Sequence, residues 1–414
     1  MAVSEHVMPL GSPPIEPVGP DQAVHASLAT RLRERWADWR NRTVAQPAFQ
    51  RWAAAFAPTR PTARRHAREL FDLLAGFVYT QVLLACVRLK VFELLSQGPL
   101  PTAQLAERLG LGSEGVERLV AAAVSLELLE RRSGGRVALG RLGAPIAGNS
   151  AITAMVEHHA TLYQDLADPV ALLKREGRPA MAGYWPYEAM ASASAGAAGA
   201  ATSPATLSPE RVAEYSKLMS ASQPLVTQEV IAAYRFKQHR VLLDVGGGEG
   251  SFLAAVAKVA PALKLMLFDL PAVAERAKTH LASLGLGERA STYGGDFFND
   301  ELPRGADVIS LVRVAFDHPD ERVLRLLKAA RRALPDNGTL LLAEPMAGVA
   351  GVEAMGDAYF GFYLLAMGRG RPRTAAHLSG LLQQAGFEPA RVISTHMPLN
   401  TGLLMARCRH ENHV

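Results

Sequence analysis

At 414 residues the chain is long enough for two or three domains, each able to bury its own core. Apolar residues make up 49% and charged residues 20%, the balance of an ordinary soluble globular protein. Two cysteines, Cys86 and Cys408, exclude a disulfide framework and suggest a reducing compartment; with no CxxC pair and no histidine-rich surroundings, no metal site is expected.

The net charge of +5 is unevenly spread. Residues 1–22 are rich in proline and lack the apolar core of an export signal, so a cytoplasmic protein is expected. Between Arg31 and Arg68, ten arginines stand against two acids, Glu34 and Asp38, with Trp36, Trp39 and Trp52 interleaved. Such a segment suits an anionic membrane surface, a nucleic acid, or a solvated arm packed on its own subunit, and all three stay open. The run FDLLAGFVYTQVLLACV from Phe71 is interrupted by Asp72, Thr80 and Gln81 and closed by Arg88 and Lys90. It is expected to be a buried helix, too short and too polar for a comfortable membrane span.

PTAQLAERLGLGSEGVERLVAAAVSLELLERRSGGRVALG reads as a winged helix. Thr102 is expected to cap a short helix, Gly110 to Gly112 to turn, a second helix to start near Ser113, and Ser133 to Gly135 to link two strands. A winged helix raises DNA binding, yet the second helix opens with Glu114 and Glu117, and only Arg118 could meet phosphate. Residues 147–236 look helical, broken by the low-complexity stretch ASASAGAAGAATSPATLS at 191–208.

From residue 237 apolar runs alternate with helices: RVLLDVG, LKLMLFDL, ASTYGGDFF, ADVISLV, GTLLLAEPM, ARVISTHM and GLLMARC. This pattern predicts a doubly wound sheet of seven strands buried on both faces. Four regions result: an extension with a basic arm (1–66), a winged helix (67–146), a helical linker (147–236) and an α/β, Rossmann-like domain (237–414).

The first run ends in LLDVGGGEG, whose glycines bring backbone close to a ligand. Gly246, Gly248 and Gly250 give G-x-G-x-G rather than the dinucleotide spacing, and no GK[ST] follows to make a P-loop. Asp269 ends the second run, 25 residues after Asp244, where a carboxylate can accept both ribose hydroxyls. Asp296, in GGDFF, can accept from an adenine amino group, and Phe297 offers the base a ring. No basic residue in the loop waits for phosphate, so S-adenosyl-L-methionine fits: its nucleoside is neutral and its sulfonium cationic.

VLLDVGGGEG, LFDLP, GGDFF, RVAFDHPDE and LLQQAGF together resemble the class I O-methyltransferases, specifically the winged-helix-plus-Rossmann group of caffeic-acid-type and bacterial small-molecule enzymes. The resemblance runs from about residue 67 to 410. It implies a homodimer whose winged helix is a dimerisation unit contributing to the partner's substrate pocket. It implies that Gly246, Asp269, Asp296 and Phe297 hold the cofactor, with Arg313 near a further contact.

The chain departs from the family at the catalytic groups. Where the family reads His-Asp-Trp-x-Asp, this chain reads Phe316-Asp317-His318-Pro319-Asp320, so Phe316 takes the base position. Glu344 matches one steering acid, whereas Pro372 stands at the other. His318 is the first candidate base, since alternation along an extended corner would return it to the side of Phe316. His158 and His159, in VEHHATLY, are further candidates, and Glu344 or a positioned water could take the proton late.

GDAYFGFYLLAMGRG places Tyr359, Phe360, Phe362, Tyr363, Leu364, Leu365 and Met367 together, as core or as part of an apolar tunnel. With FDLLAGFVYTQVLLACV and RVAFDHPD, it resembles the carotenoid 1-hydroxy O-methyltransferase branch of purple phototrophic bacteria. That resemblance implies an apolar substrate, a hydroxylated carotenoid, and peripheral contact with the inner face of a membrane. Alternatives are a methyltransferase of a tetrapyrrole, quinone or polyketide and, in another class, a DNA-binding regulator, against which Glu114 and Glu117 count.

Overall fold

The computed structural model describes residues 28–182, 223–368, 370–397 and 401–409. The chain divides into two compact units, Met1–Gln81 and Val82–Val414. In the first unit, helices Leu28–Val44 and Pro47–Ala55 precede the long helix Arg60–Arg88, which runs on into the second unit. Helix Leu28–Val44 buries none of its residues. Pro47 opens its helix where the missing amide proton costs nothing.

The expectation of a buried helix from Phe71 is corrected here. One helix forms, yet Leu70, Phe71, Leu73, Leu74, Phe77 and Val78 are exposed, and only Leu84, Cys86 and Val87 are buried. Its apolar residues lie all round, while core packs only on its last turns. At 29 residues it is also long and apolar enough to cross a membrane.

The second unit begins with the winged helix. Helices Val91–Ser96, Thr102–Leu109 and Ser113–Ser125 pack with strands β1 (Leu100–Pro101), β2 (Leu129–Arg132) and β3 (Arg136–Leu139), ordered β1-β3-β2. Phe92, Leu105, Val116, Val120 and Val137 make its core. Gly134 and Gly135, both at positive φ, form the turn that Ser-Gly-Gly predicted. Thr102 does not cap by accepting an amide; its hydroxyl donates to the Gly135 carbonyl at 3.2 Å and ties helix to hairpin. Arg118 pairs with Glu114 and Arg131 with Glu117. Cys86 and Cys408 are both buried, which pushes the first thiol up to about 12 and the second to about 11.

Helices Ser150–Asp165 and Pro169–Lys174 follow, capped by the side chains of Asn149 and Asp168. The low-complexity stretch 191–208 lies outside the described residues, and residues 223–233 are again helical.

All seven apolar runs become strands: β4 (Val241–Val245), β5 (Lys264–Asp269), β6 (Ala290–Gly294), β7 (Val308–Val312), β8 (Thr339–Glu344), β9 (Arg391–Ile393) and β10 (Gly402–Arg407). Their order is β6-β5-β4-β7-β8-β10-β9, and β10 alone runs against its neighbours. Period-two alternation sends Leu243, Val245, Ile309 and Leu311 into one core layer, and Leu242, Leu265, Val308 and Leu341 into the other. The order reverses between β4 and β7, so a ligand crevice is expected outside the carboxyl ends of these two strands.

Candidate active site

The glycine loop leaves β4 at that crevice. Gly246 has φ +70, and a Cβ there would meet Val314 at 2.8 Å. Gly248, at φ +58, would meet nothing within 4 Å, so its backbone borders open space. Behind the loop, Asp244 is buried and accepts from the Ser310 hydroxyl at 2.6 Å through Oδ1. Its Oδ2 has no partner, and burial pushes its carboxyl up to about 7. Asp269 ends β5 with Oδ2 accepting from Gly248 at 2.8 Å and Oδ1 from Leu270 at 2.7 Å. Burial pushes it up to about 6 against those two bonds.

Asp296 follows β6 and organises its own turn, accepting from the Phe298 amide at 2.9 Å and the Asn299 side chain at 2.6 Å. Phe297 is half-buried, its ring edge-on to Phe298 at 4.6 Å.

The corner after β7 is held from several sides. Arg313 adopts φ +58, a left-handed conformation rare for a side chain of its size and typical of functional positions. Residues Ala315–Asp317 form a 3₁₀ turn, so side chains two apart diverge instead of alternating. Consequently Phe316 and His318 keep different company. Phe316 joins Leu162, Leu172, Met181, Tyr363, Leu364 and Met367. His318 lies edge-on to Phe298 at 4.9 Å and Phe297 at 6.0 Å. Burial, then the charges of Arg322 and Arg373, push its ring down to about 4. The premise that placed His318 beside Phe316 is therefore not met.

Among the described residues, the hydrogen-bond partners of Glu344, at the end of β8, are backbone amides. Its Oε1 accepts from the amides of Val314 (3.0 Å) and Ala315 (2.7 Å), and Oε2 from Phe316 (3.4 Å). Burial pushes its carboxyl up to about 7 against those bonds. Arg373, next to Pro372, is itself buried and binds the carbonyls of Ala315 and His318. It also pairs with Asp320 at 2.7 Å, where Arg371 and His377 meet the same carboxylate. Against the upward push of burial, hydrogen bonds and charge from the two arginines hold Asp320 down to about 2. Sequence reasoning saw only the missing acid at Pro372 and passed over Arg373, because nothing in the run GRGRPR marks which arginine is buried.

A second polar cluster lies on the Phe316 side. His158 Nε2 meets the Tyr363 hydroxyl at 3.0 Å, and His159 Nε2 meets the Tyr359 hydroxyl at 2.8 Å. The two tyrosines stack at 5.9 Å. They sit where a π-helical turn, Ala354–Phe360, runs into helix Gly361–Ala366, a distortion common at functional sites. Burial, helped by the neighbouring His159, pushes His158 down to about 4, and burial lowers His159 as well. Burial therefore favours the neutral form of both rings. The Arg313 guanidinium stands near enough to Tyr359 to oppose the upward push of burial on its phenol.

Against this geometry, a family model described as the O-methyltransferase domain matches residues 163–388, more than half of the chain. The chain belongs to the O-methyltransferase family. A second model, the O-methyltransferase dimerisation domain, matches residues 71–144 and supports a homodimer. The chain is 44% identical over 344 residues to demethylspheroidene O-methyltransferase of Cereibacter sphaeroides, covering 83% of this chain and 88% of that one. It is 40% identical to the enzyme of the same name from Rhodobacter capsulatus, covering 83% and 82%. Human N-acetylserotonin methyltransferase, solved with S-adenosylmethionine, superposes with a TM-score of 0.64 at 25% identity over 83% of this chain and 98% of that one.

The enzyme is thus an S-adenosylmethionine-dependent O-methyltransferase. Its residues fit that cofactor on three counts: Asp244 Oδ2 is buried without a partner, the Gly248 backbone borders open space, and Asp269 ends the adjacent strand.

Proposed function

We propose that the enzyme methylates the tertiary 1-hydroxyl of an acyclic carotenoid, a long apolar polyene. The observation carrying this reading is the apolar wall at Phe316, where a phenol-methylating relative would keep its base, backed by two neutral histidine–tyrosine pairs. The names of its two relatives from Cereibacter and Rhodobacter support the same substrate class. Such a substrate dissolves in a bilayer, which puts the reaction at the cytoplasmic face of a membrane. Residues 1–66 then act as an arm, 67–146 as the dimerising winged helix, 147–236 as the linker and 237–414 as the catalytic domain.

In this reading Gly246 and Gly248 present backbone to the cofactor, Asp269 receives the ribose hydroxyls, Asp296 and Phe297 take the adenine, and Arg313 adds a further contact. When bound, S-adenosylmethionine supplies a sulfonium methyl group open to in-line displacement. The chain itself orients the hydroxyl, excludes water and removes one proton. A tertiary alcohol keeps that proton until the new carbon–oxygen bond has largely formed, and by then it is acidic enough for a weak base. His158, reached through the Tyr363 hydroxyl, is such a base, and Tyr363 packs in the same cluster as Phe316. Glu344 and Arg373 position the corner, and His318 packs behind the adenine side.

Purified enzyme given labelled S-adenosylmethionine tests this, with a 1-hydroxy acyclic carotenoid in detergent beside a catechol. Label is expected in the carotenoid alone. Label in the catechol would overturn the substrate class.

A further inference from the structure

We propose that helices Leu28–Val44 and Pro47–Ala55 form a docking surface for an anionic lipid bilayer. Leu28, Leu32, Trp36 and Trp39 recur at spacings of four, four and three, which sets them on one face of their helix. They are 74%, 66%, 57% and 63% exposed, so nothing among the described residues covers them. The same periodicity places Arg33 and Arg40 along one edge of the stripe and Arg31, Arg35 and Arg42 along the other. Glu34 falls on the far face, and Asp38 lies beyond the second row, next to Arg31. In the next helix Trp52 is half exposed and stacks on Phe56 at 5.1 Å, beside Arg51.

An apolar stripe between two rows of arginine matches the boundary of a bilayer. Its ring and leucine side chains reach the acyl chains while guanidinium groups stay with phosphates. Charge decides among occupants. From Leu28 to Phe56 there are six arginines and two acids, so a second copy of this surface would set arginine rows against arginine rows. The dimerisation domain, moreover, begins only at residue 71. A duplex would satisfy the arginines but leave Leu28, Leu32 and the tryptophans against phosphate. Anionic lipid satisfies both sets.

The surface does not depend on the carotenoid reading, and its test contains no substrate, so either can fail alone. Full-length enzyme is sedimented with vesicles of phosphatidylglycerol and phosphatidylcholine in equal parts, and with phosphatidylcholine vesicles. At about 0.1 M salt, at least about tenfold tighter binding to the anionic vesicles is expected, weakening as salt screens the arginines. Trp36→Ser with Trp39→Ser, and separately Arg33→Glu with Arg40→Glu, should each lose about tenfold in vesicle affinity while keeping S-adenosylmethionine binding. Equal binding to neutral vesicles, or undiminished binding by these variants, would overturn the proposal. So would dissociation of the dimer by the tryptophan variant, tighter binding to a DNA duplex than to anionic vesicles, or vesicle binding that resists an alkaline wash as an inserted helix does.

Discussion

Both oxygens of Asp269 already accept amide protons, from Gly248 and Leu270. Each can accept twice, so the carboxylate keeps capacity for a ribose while fixing the loop that faces it. Asp269→Ala should weaken S-adenosylmethionine binding by about 10–100-fold, because a charged acceptor is lost. Calorimetric titration reads this, and unchanged affinity would remove Asp269 from the pocket. The placement of Asp269 at a strand end beside the glycine loop could be read from sequence because both features are local. The His158–Tyr363 pair could not, since its members stand 205 residues apart and only folding brings them together. His158→Phe should lower kcat by about 10²-fold, with little change in KM for the cofactor. With the ring pushed down to about 4, its neutral form persists as pH falls. Turnover should therefore hold level from alkaline pH down to about 5 and drop only as His158 gains its proton. A drop already centred near an ordinary histidine pKa, or full activity in the variant, would assign the proton to another group.

At the scale of elements, the sheet was the most legible part of the molecule. A strand buried on both faces has little choice but a continuous apolar run, and each of the runs ending in Val245, Asp269, Val312 and Glu344 became one. The edge strands ending in Gly294 and Ile393 are instead largely exposed, against the expectation of burial on both faces throughout. The corner after β7 was legible only in composition. RVAFDHPDE announces a strand-to-helix passage, yet whether its backbone is extended or coiled depends on Glu344 and Arg373, which arrive from β8 and from the segment beyond Pro372. Those two side chains gather the amides and carbonyls of residues 314–318 into a 3₁₀ turn. That turn is what separates Phe316 from His318. Phe316 therefore packs into the cluster of Leu162, Met181 and Tyr363 without disturbing the frame that carries it.

At the scale of the whole molecule, sequence could show that Phe71–Val87 is a helix but not what lies against it. Apolar residues on every side read alike whether they meet core, a second chain or lipid. The dimerisation match opens at residue 71, where Phe71, Leu73, Leu74 and Phe77 are exposed. Leu74→Glu with Phe77→Glu should halve the mass seen by light scattering. A surviving dimer would place the subunit interface elsewhere. The tryptophan variant of the arm should leave that mass unchanged, so the two exposed apolar surfaces can be told apart. Lipid docking through the stripe on helix Leu28–Val44 would carry a kinetic consequence as well. An enzyme parked on a surface finds a lipid-dissolved substrate by lateral diffusion, in two dimensions. Turnover then follows substrate per lipid rather than substrate per volume, and plain lipid added to the mixture dilutes the target while the bulk concentration hardly moves.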